Sequence, residues 1–198
     1  MENLALQEET VFMAVDDGKR EYTVEDILAL PEGERAELID GELFMMASPT
    51  MVHQDILGWL FVEIQQYIRN RKGRCKAFLA PFAVFLKNDN KNYVEPDIVV
   101  VCDRDKLDEQ GCHGAPDWAI EIVSPSSKVM DYCRKLEAYR TAGVREYWIV
   151  DPERETVIVY DLEHGEAPCM YHFTDSVDAG TFEDFTLNFS ELKEYLKR

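Results

Sequence analysis

The sequence predicts an α/β fold in which a mixed β-sheet is flanked by helices, with a further helix and a hairpin at the N-terminal end. Short β-branched runs such as 98–101 and 119–123 are typical of buried strands. They alternate with segments whose apolar residues recur at helical spacing, notably 56–68. The length of 198 residues suits one domain. We expect residues 1–21 to be a flexible acidic lead-in and residues 22–198 to form that domain.

Local signals predict the individual elements. Thr23 and Asp26 have the spacing of a capping box that begins a helix through about Leu30. The pair Asp40-Gly41 between apolar segments predicts a short hairpin. The apolar stripe of 56–68 predicts a long helix after Thr50, with Gly73 as its stop. The remaining predicted elements are strands over 82–86, 94–102, 118–123, 146–150, 156–160 and 169–173, an exposed loop over 103–114, a helix from Ser124 to Ala142, and a terminal helix capped by Ser190.

Composition argues against secreted and membrane proteins. The acidic start lacks a basic region followed by an apolar one, and no apolar run approaches membrane-spanning length. The five cysteines show neither paired zinc spacing nor a Cys-x-x-Cys motif, which favours free thiols in a reducing cytoplasm. They are Cys75, Cys102, Cys112, Cys133 and Cys169.

The net charge of −18 is unfavourable for nucleic-acid binding, but its distribution is uneven. Residues 1–40 hold 12 acids and 3 bases, and residues 151–198 hold 12 acids and 4 bases, so 41–150 keep 15 acids and 14 bases. This near-neutral middle contains a basic cluster, defined as Arg69, Arg71, Lys72, Arg74 and Lys76. Such cations either complement the dipole at a helix C-terminus, which we favour, or form a phosphate-binding patch.

Two predicted strands each carry one carboxylate among apolar residues. Asp97 precedes Ile98, and Glu121 lies between Ile120 and Ile122. A buried carboxylate costs several kcal/mol unless it is paired or binds a metal. If the two strands are neighbours in register, Asp97 and Glu121 meet side by side, and a divalent cation relieves their repulsion. Oxygen ligands favour Mg²⁺ or Mn²⁺. The alternative for Asp97 is a bond to a nearby backbone amide.

Lys135 and His53 are further candidates, each with a structural alternative. Lys135 lies four residues before Tyr139 and borders the apolar stripe of the helix that follows the Glu121 strand, so its long side chain can reach the strand end. The alternative is a lysine snorkelling on the helix flank. His53 lies four residues before Leu57 and shares the buried stripe of its helix, where a packed, hydrogen-bonded histidine is more usual than a ligand.

Several motifs occur in a fixed order: ELIDGEL at 37–43, His53, EPDI at 95–98, EIVSPSS at 121–127, Lys135 with Tyr139, and GVREYWIVDP at 143–152. With them the chain resembles, over roughly residues 22–160, the Uma-two family of restriction endonuclease-like proteins in the PD-(D/E)XK nuclease superfamily. The resemblance implies a restriction-endonuclease-like α/β core, a divalent metal and phosphodiester cleavage. Asp97 matches the first metal carboxylate of the superfamily and Glu121 the second.

The resemblance also implies roles for the other candidates. The superfamily lysine is expected two residues after Glu121, where this chain has Val123, so Lys135 is expected to take that role. Glu37 could be an outer metal ligand, His53 could orient a carboxylate or a water, and the carbonyl near Ile122 could be a third metal ligand.

The expected function is therefore a cytoplasmic, Mg²⁺- or Mn²⁺-dependent endonuclease that hydrolyses phosphodiester bonds in DNA. The alternative is a catalytically inactive interaction or accessory protein of the same fold, for example a homodimer. A third interpretation is cleavage of RNA or branched DNA, since nothing in the sequence separates these substrates.

Overall fold

The computed structural model describes residues 20–87, 89–125 and 127–198, so most of the predicted lead-in lies outside the described residues. The elements of the described part are, in chain order, α1 (Val24–Leu28), β1 (Ala36–Ile39), β2 (Glu42–Met45), α2 (Met51–Asn70), β3 (Lys76–Leu79), β4 (Val84–Phe85), β5 (Tyr93–Val94), β6 (Ile98–Val101), a 3-10 turn (Arg104–Lys106), β7 (Cys112–His113), β8 (Trp118–Ile122), a π-helix (Met130–Lys135), α3 (Leu136–Ala142), β9 (Glu146–Asp151), β10 (Thr156–Asp161), β11 (Cys169–His172), β12 (Ser176–Asp178), β13 (Thr186–Asn188) and α4 (Phe189–Tyr195).

The strands form a large sheet, a small sheet and a hairpin. The large sheet has the order β11-β10-β9-β8-β6-β3, and the small sheet has the order β2-β1-β5-β4-β7. β8 and β9 run parallel, joined by the π-helix and α3, whereas β6 is antiparallel to β8. The predicted mixed sheet flanked by helices is therefore confirmed.

The central strands β6, β8 and β9 of the large sheet are buried on both faces, which explains their continuous apolar runs. One face, which includes Ile98 and Ile120, packs against the apolar stripe of α2 and against Phe189 of α4. The opposite face, which includes Val99, packs against Tyr139 of α3 and the small sheet. The small sheet and the helix between β8 and β9 thus lie on the same side of the large sheet, opposite α2.

Local turn and cap chemistry agrees with the sequence at three elements. Asp40 and Gly41 have φ values of 49° and 82°, as a tight hairpin turn between β1 and β2 requires. The Thr23 amide donates to Asp26 Oδ2 at 2.9 Å at the start of α1. Thr50 caps α2 by accepting the His53 amide on Oγ1 at 3.3 Å.

The predicted strand over 94–102 is wrong in its extent, because the chain changes sheets within it. Tyr93 and Val94 belong to the small sheet, whereas β6, the strand that this segment adds to the large sheet, begins at Ile98. Pro96 has no amide hydrogen and cannot extend a ladder through this point. Asp97 therefore directly precedes β6, and Glu95, two residues before Asp97, lies between the strands of the two sheets.

Four smaller predictions are also corrected. Strand β3 lies where the sequence predicted no element, and the strand over 82–86 is limited to β4. The loop over 103–114 contains the short strand β7, where Cys112 is buried. Lys72, with φ of 51°, is the left-handed residue after α2, one residue before the predicted stop Gly73. Asn188, whose Oδ1 accepts the Ser190 amide at 3.2 Å, caps the terminal helix in place of Ser190.

The expectation that all cysteines are free thiols is wrong for one pair. Cys75 and Cys102 form a disulfide between the adjoining ends of β3 and β6, while Cys112, Cys133 and Cys169 are free. Because disulfides are uncommon in a reducing cytoplasm, the cytoplasmic location stays a prediction. Within the described ranges, no helix combines the length and the apolar character that crossing a bilayer requires.

Candidate active site

The register of β6 and β8 places Asp97 opposite Glu121. Ile98 pairs with Ile120 in this antiparallel ladder, so the residues one step beyond the pair, Asp97 and Glu121, lie side by side at the ladder's end. The Ile122 amide donates to Asp97 Oδ2 at 2.7 Å and fixes the contact. Asp97 thus makes the backbone bond that was its alternative role, and the register also puts it opposite Glu121.

This end of the ladder opens into a cleft of about 580 Å³. All of the predicted site residues line it, namely Glu37, His53, Asp97, Glu121, Ile122 and Lys135. They come from β1, α2, the residue before β6, the end of β8 and the π-helix. Elements distant in sequence therefore converge on one concave surface, as ligand sites commonly do.

His53 lies in the first turn of α2, and its side chain points to Asp97. The residue is 8% exposed, and Nε2 is 3.1 Å from Asp97 Oδ2. Its other nitrogen, Nδ1, has no hydrogen-bond partner within the part of the chain that the structure describes. His53 is thus the buried, hydrogen-bonded histidine that its helix position predicts, and the carboxylate that it orients is Asp97.

Lys135 lies at the centre of a cluster of carboxylates. Its Nζ is 2.9 Å from Glu37 Oε2, 3.0 Å from Glu121 Oε1 and 3.6 Å from Asp131 Oδ1. The side chains of all four residues are at most 5% exposed. Lys135 is therefore not a snorkelling surface lysine, because its ammonium is buried among three acids. The sequence left the role of Glu37 open, and in the structure Glu37 pairs with the Lys135 ammonium.

Asp131 is the site residue that sequence reasoning missed. It lies four residues before Lys135, a spacing that puts the two side chains on one helix face and could have drawn attention to it. In the structure both residues belong to the π-helix, a rare form that is frequent at functional sites. Tyr147 supports this segment by donating its hydroxyl to the Asp131 carbonyl at 2.9 Å.

Burial and like charge control protonation in the cluster. Burial raises the pKa of Glu121 well above its usual range, opposed by the Lys135 ammonium and reinforced by the neighbouring carboxylates. Burial likewise raises the pKa of Asp131 to about 6. For Lys135, burial acts to lower the pKa, but the contacts with Glu121, Glu37 and Asp131 raise it well above its usual range. Lys135 is therefore an ammonium at neutral pH and cannot act as a base.

Each of the paired carboxylates retains an oxygen for a ligand. Glu121 Oε1 accepts the Tyr139 hydroxyl at 2.6 Å in addition to its contact with Lys135, and Asp97 Oδ2 is occupied by Ile122 and His53. The other oxygens, Asp97 Oδ1 and Glu121 Oε2, accept no hydrogen bond from any described residue. Two oxygens on adjoining residues are thus left to bind a cation or water.

The basic cluster lies away from the cleft. It begins at the C-terminal end of α2, whereas His53 lies in the first turn, about 25 Å away at 1.5 Å per residue. Arg71 stacks over the Tyr67 ring and pairs with Asp184 at 3.4 Å. The structure thus favours the helix-end interpretation of these cations over a phosphate patch at the site.

Comparison with known proteins gives the family and the fold. The Uma2 family, described as "Putative restriction endonuclease", matches residues 24–190, which include all of the cleft residues named above. The chain belongs to the Uma2 family. A crystal structure described as "a putative nuclease belonging to DUF820", from Anabaena variabilis ATCC 29413, superposes with a TM-score of 0.72 at 24% identity, covering 88% of this chain and 98% of that chain. That likeness shows the fold shared by this Uma2 protein and its neighbour. No protein of curated function matches the chain.

Proposed function

We propose that this Uma2 protein is a metal-dependent endonuclease that hydrolyses phosphodiester bonds in DNA. The observation that carries the proposal is the meeting of Asp97 and Glu121 at the end of the β6–β8 ladder, with the Lys135 ammonium 3.0 Å from Glu121. Membership of a restriction endonuclease family supports the same reaction class. DNA as the substrate is the expectation that comes with that family.

The charges of the cleft support a divalent cation. Four carboxylates, Glu37, Asp97, Glu121 and Asp131, face the single ammonium of Lys135, which leaves an excess of three negative charges when all are ionised. A buried excess of this size is unfavourable without a counter-ion. Asp131 Oδ1 accepts no hydrogen bond from the described residues, and the pKa of Asp131 is raised; both agree with a site that is short of positive charge.

The donor set suits Mg²⁺ or Mn²⁺ better than a metal ion that is enclosed entirely by protein ligands. Within the described ranges, no three His, Cys, Asp or Glu side chains form a ready metal-binding group. Mg²⁺ is usually held by one or two carboxylates, with waters and substrate phosphates completing its shell. Asp97 and Glu121 would supply those carboxylates, with the Ile122 carbonyl as a third ligand. The bound ion would lower the pKa of a water and polarise the phosphate.

The remaining residues would prepare the site for this chemistry. His53 and the Ile122 amide hold Asp97 through Oδ2 and leave Oδ1 for the ion. Glu37 and Asp131 keep Lys135 charged and in place. The Lys135 ammonium would orient the attacking water or stabilise the negative charge that develops on the phosphate.

The test is a cleavage assay with matched variants. Purified protein is incubated with supercoiled, linear and single-stranded DNA, and with RNA, in EDTA, Mg²⁺ or Mn²⁺. We expect DNA cleavage that requires the metal and that Asp97→Asn lowers by at least about 100-fold. Asp184→Asn, at an exposed residue outside the cleft, should cleave as the wild type does.

Two results would contradict the proposal. Cleavage by Asp97→Asn at the wild-type rate would show that the activity arises elsewhere. Absence of cleavage under every condition, with no rise in Tm on adding Mg²⁺ or Mn²⁺, would favour the inactive interaction protein, since an ion that binds only the native state stabilises it.

A further inference from the structure

Among the described residues, Arg35 is the more exposed of the two cations that line the cleft. The cleft is lined by five carboxylates and by two cations, Arg35 and Lys135. Lys135 is buried beneath its three acids, whereas the Arg35 side chain is 36% exposed. A substrate strand carries a phosphate at every nucleotide, so the phosphates next to the cleaved one also approach this acidic surface. Of these two cations, Arg35 is therefore the one that a second phosphate can reach.

A rigid network holds the Arg35 guanidinium in place. Its Nε donates to Glu95 Oε2 at 2.8 Å, and its Nη2 contacts the same oxygen. Glu95 is buried, and its second oxygen accepts the Tyr93 hydroxyl at 2.7 Å. The Glu95 amide donates to Glu37 Oε1 at 2.9 Å, and Glu37 also contacts Lys135. Arg35 is thus fixed relative to the proposed reaction centre.

One edge of the guanidinium stays available. Glu95 occupies Nε and Nη2, whereas Nη1 donates to no residue of the described chain. A planar guanidinium presents its donors in a fork that matches phosphate oxygens, and a fork already held in position loses little freedom on binding. The Glu95 charge offsets the positive charge of Arg35, so the contribution comes from directed hydrogen bonds.

We propose that Arg35 binds a second phosphodiester of the substrate strand, next to the phosphodiester that is cleaved beside Asp97 and Glu121. This inference rests on the proposed function and assigns a phosphate subsite to one wall of the same cleft. It predicts that the enzyme discriminates by strand length, because a substrate with only one phosphodiester cannot use Arg35.

The experiment compares two substrates that differ in this respect. A single-stranded oligonucleotide of twelve nucleotides offers neighbouring phosphates, and bis(p-nitrophenyl) phosphate offers one phosphodiester only. Arg35→Ala should lower kcat/KM for the oligonucleotide by about 10- to 100-fold, the scale of one hydrogen bond to a charged group. The loss for bis(p-nitrophenyl) phosphate should be at least about 10-fold smaller. Arg35→Lys should recover little, because a point charge replaces a fork.

Arg145→Ala is the matched control. Arg145 donates through Nε to Glu163 at 2.8 Å and is 41% exposed, much like Arg35, but it lies outside the cleft. Arg145→Ala should therefore cleave both substrates at the wild-type rate. Equal losses on both substrates in Arg35→Ala, or no loss on either, would overturn the phosphate subsite while leaving the proposed function intact.

If the wild type cleaves neither substrate, the proposed function fails and binding decides the subsite separately. A salt titration of oligonucleotide binding should then give a slope lower by about 0.7 in Arg35→Ala, the value for one phosphate contact on a single strand. An unchanged slope, or no binding by the wild type at low salt, would overturn the subsite as well.

Discussion

Asp131 provides the sharpest test of the charge balance in the cleft. Its side chain is 2% exposed, and Oδ1 has no hydrogen-bond partner among the described residues. Burial raises its pKa from 3.8 to about 6, even though Lys135 acts in the opposite direction. A carboxyl with a raised folded-state pKa stabilises the protein below its unfolded-state pKa, and this contribution is lost as the pH rises through the folded-state pKa. The window is therefore about pH 4 to 6.

The magnitude follows from the shift. About two pKa units at 1.36 kcal/mol each correspond to about 3 kcal/mol. Asp131→Asn keeps the shape of the side chain but cannot ionise. In EDTA, the unfolding free energy of the variant relative to wild type should therefore rise by about 3 kcal/mol between pH 4 and pH 7. Above pH 6 the variant should be the more stable protein.

The assay is urea unfolding followed by circular dichroism at a series of pH values, for wild type and variant. Asp184→Asn is the control, because Asp184 is 83% exposed and its loss should change stability by less than about 0.5 kcal/mol at any pH. A difference between Asp131→Asn and wild type that stays constant with pH would refute the reasoning. So would a variant that is less stable at pH 7, since Asp131 would then be a required partner of Lys135.

Three further predictions concern the cleft and its surroundings. Lys135→Ala should lower turnover by about 100-fold while Mg²⁺ still raises the Tm, and Lys135→Arg should not rescue turnover; unchanged cleavage would assign the role to another cation. Glu121→Gln should leave the metal-free protein at least as stable, since Glu37 still pairs with Lys135, and should abolish stabilisation by Mg²⁺ in thermal denaturation; a loss of several kcal/mol would indicate a structural ion pair. Replacing Arg71 and Lys72 by Ala should leave the salt slope of DNA binding unchanged, because both lie at the far end of α2; a slope lower by about two would restore the phosphate patch.

The sequence determined those features that depend on near neighbours along the chain. The hairpin at Asp40-Gly41 follows from turn chemistry, and the buried stripe of α2 that includes His53 follows from helical spacing. The alternation of side chains predicted which residues share a face with Asp97 and which with Glu121, whereas their pairing depended on the register that the structure gives. Local rules were sufficient for these features because the backbone geometry within one element is fixed by that element's own residues.

The tertiary structure decided which of these elements meet. No local pattern brings Glu37 of β1 to Lys135 of the π-helix, or Arg35 to Glu95 across 60 residues. The change of sheet at Pro96 and the Cys75–Cys102 bond likewise depend on packing between distant segments. A sequence lists the charges, but the excess of carboxylates around one ammonium exists only after folding, because burial and distance set both their interaction and its strength.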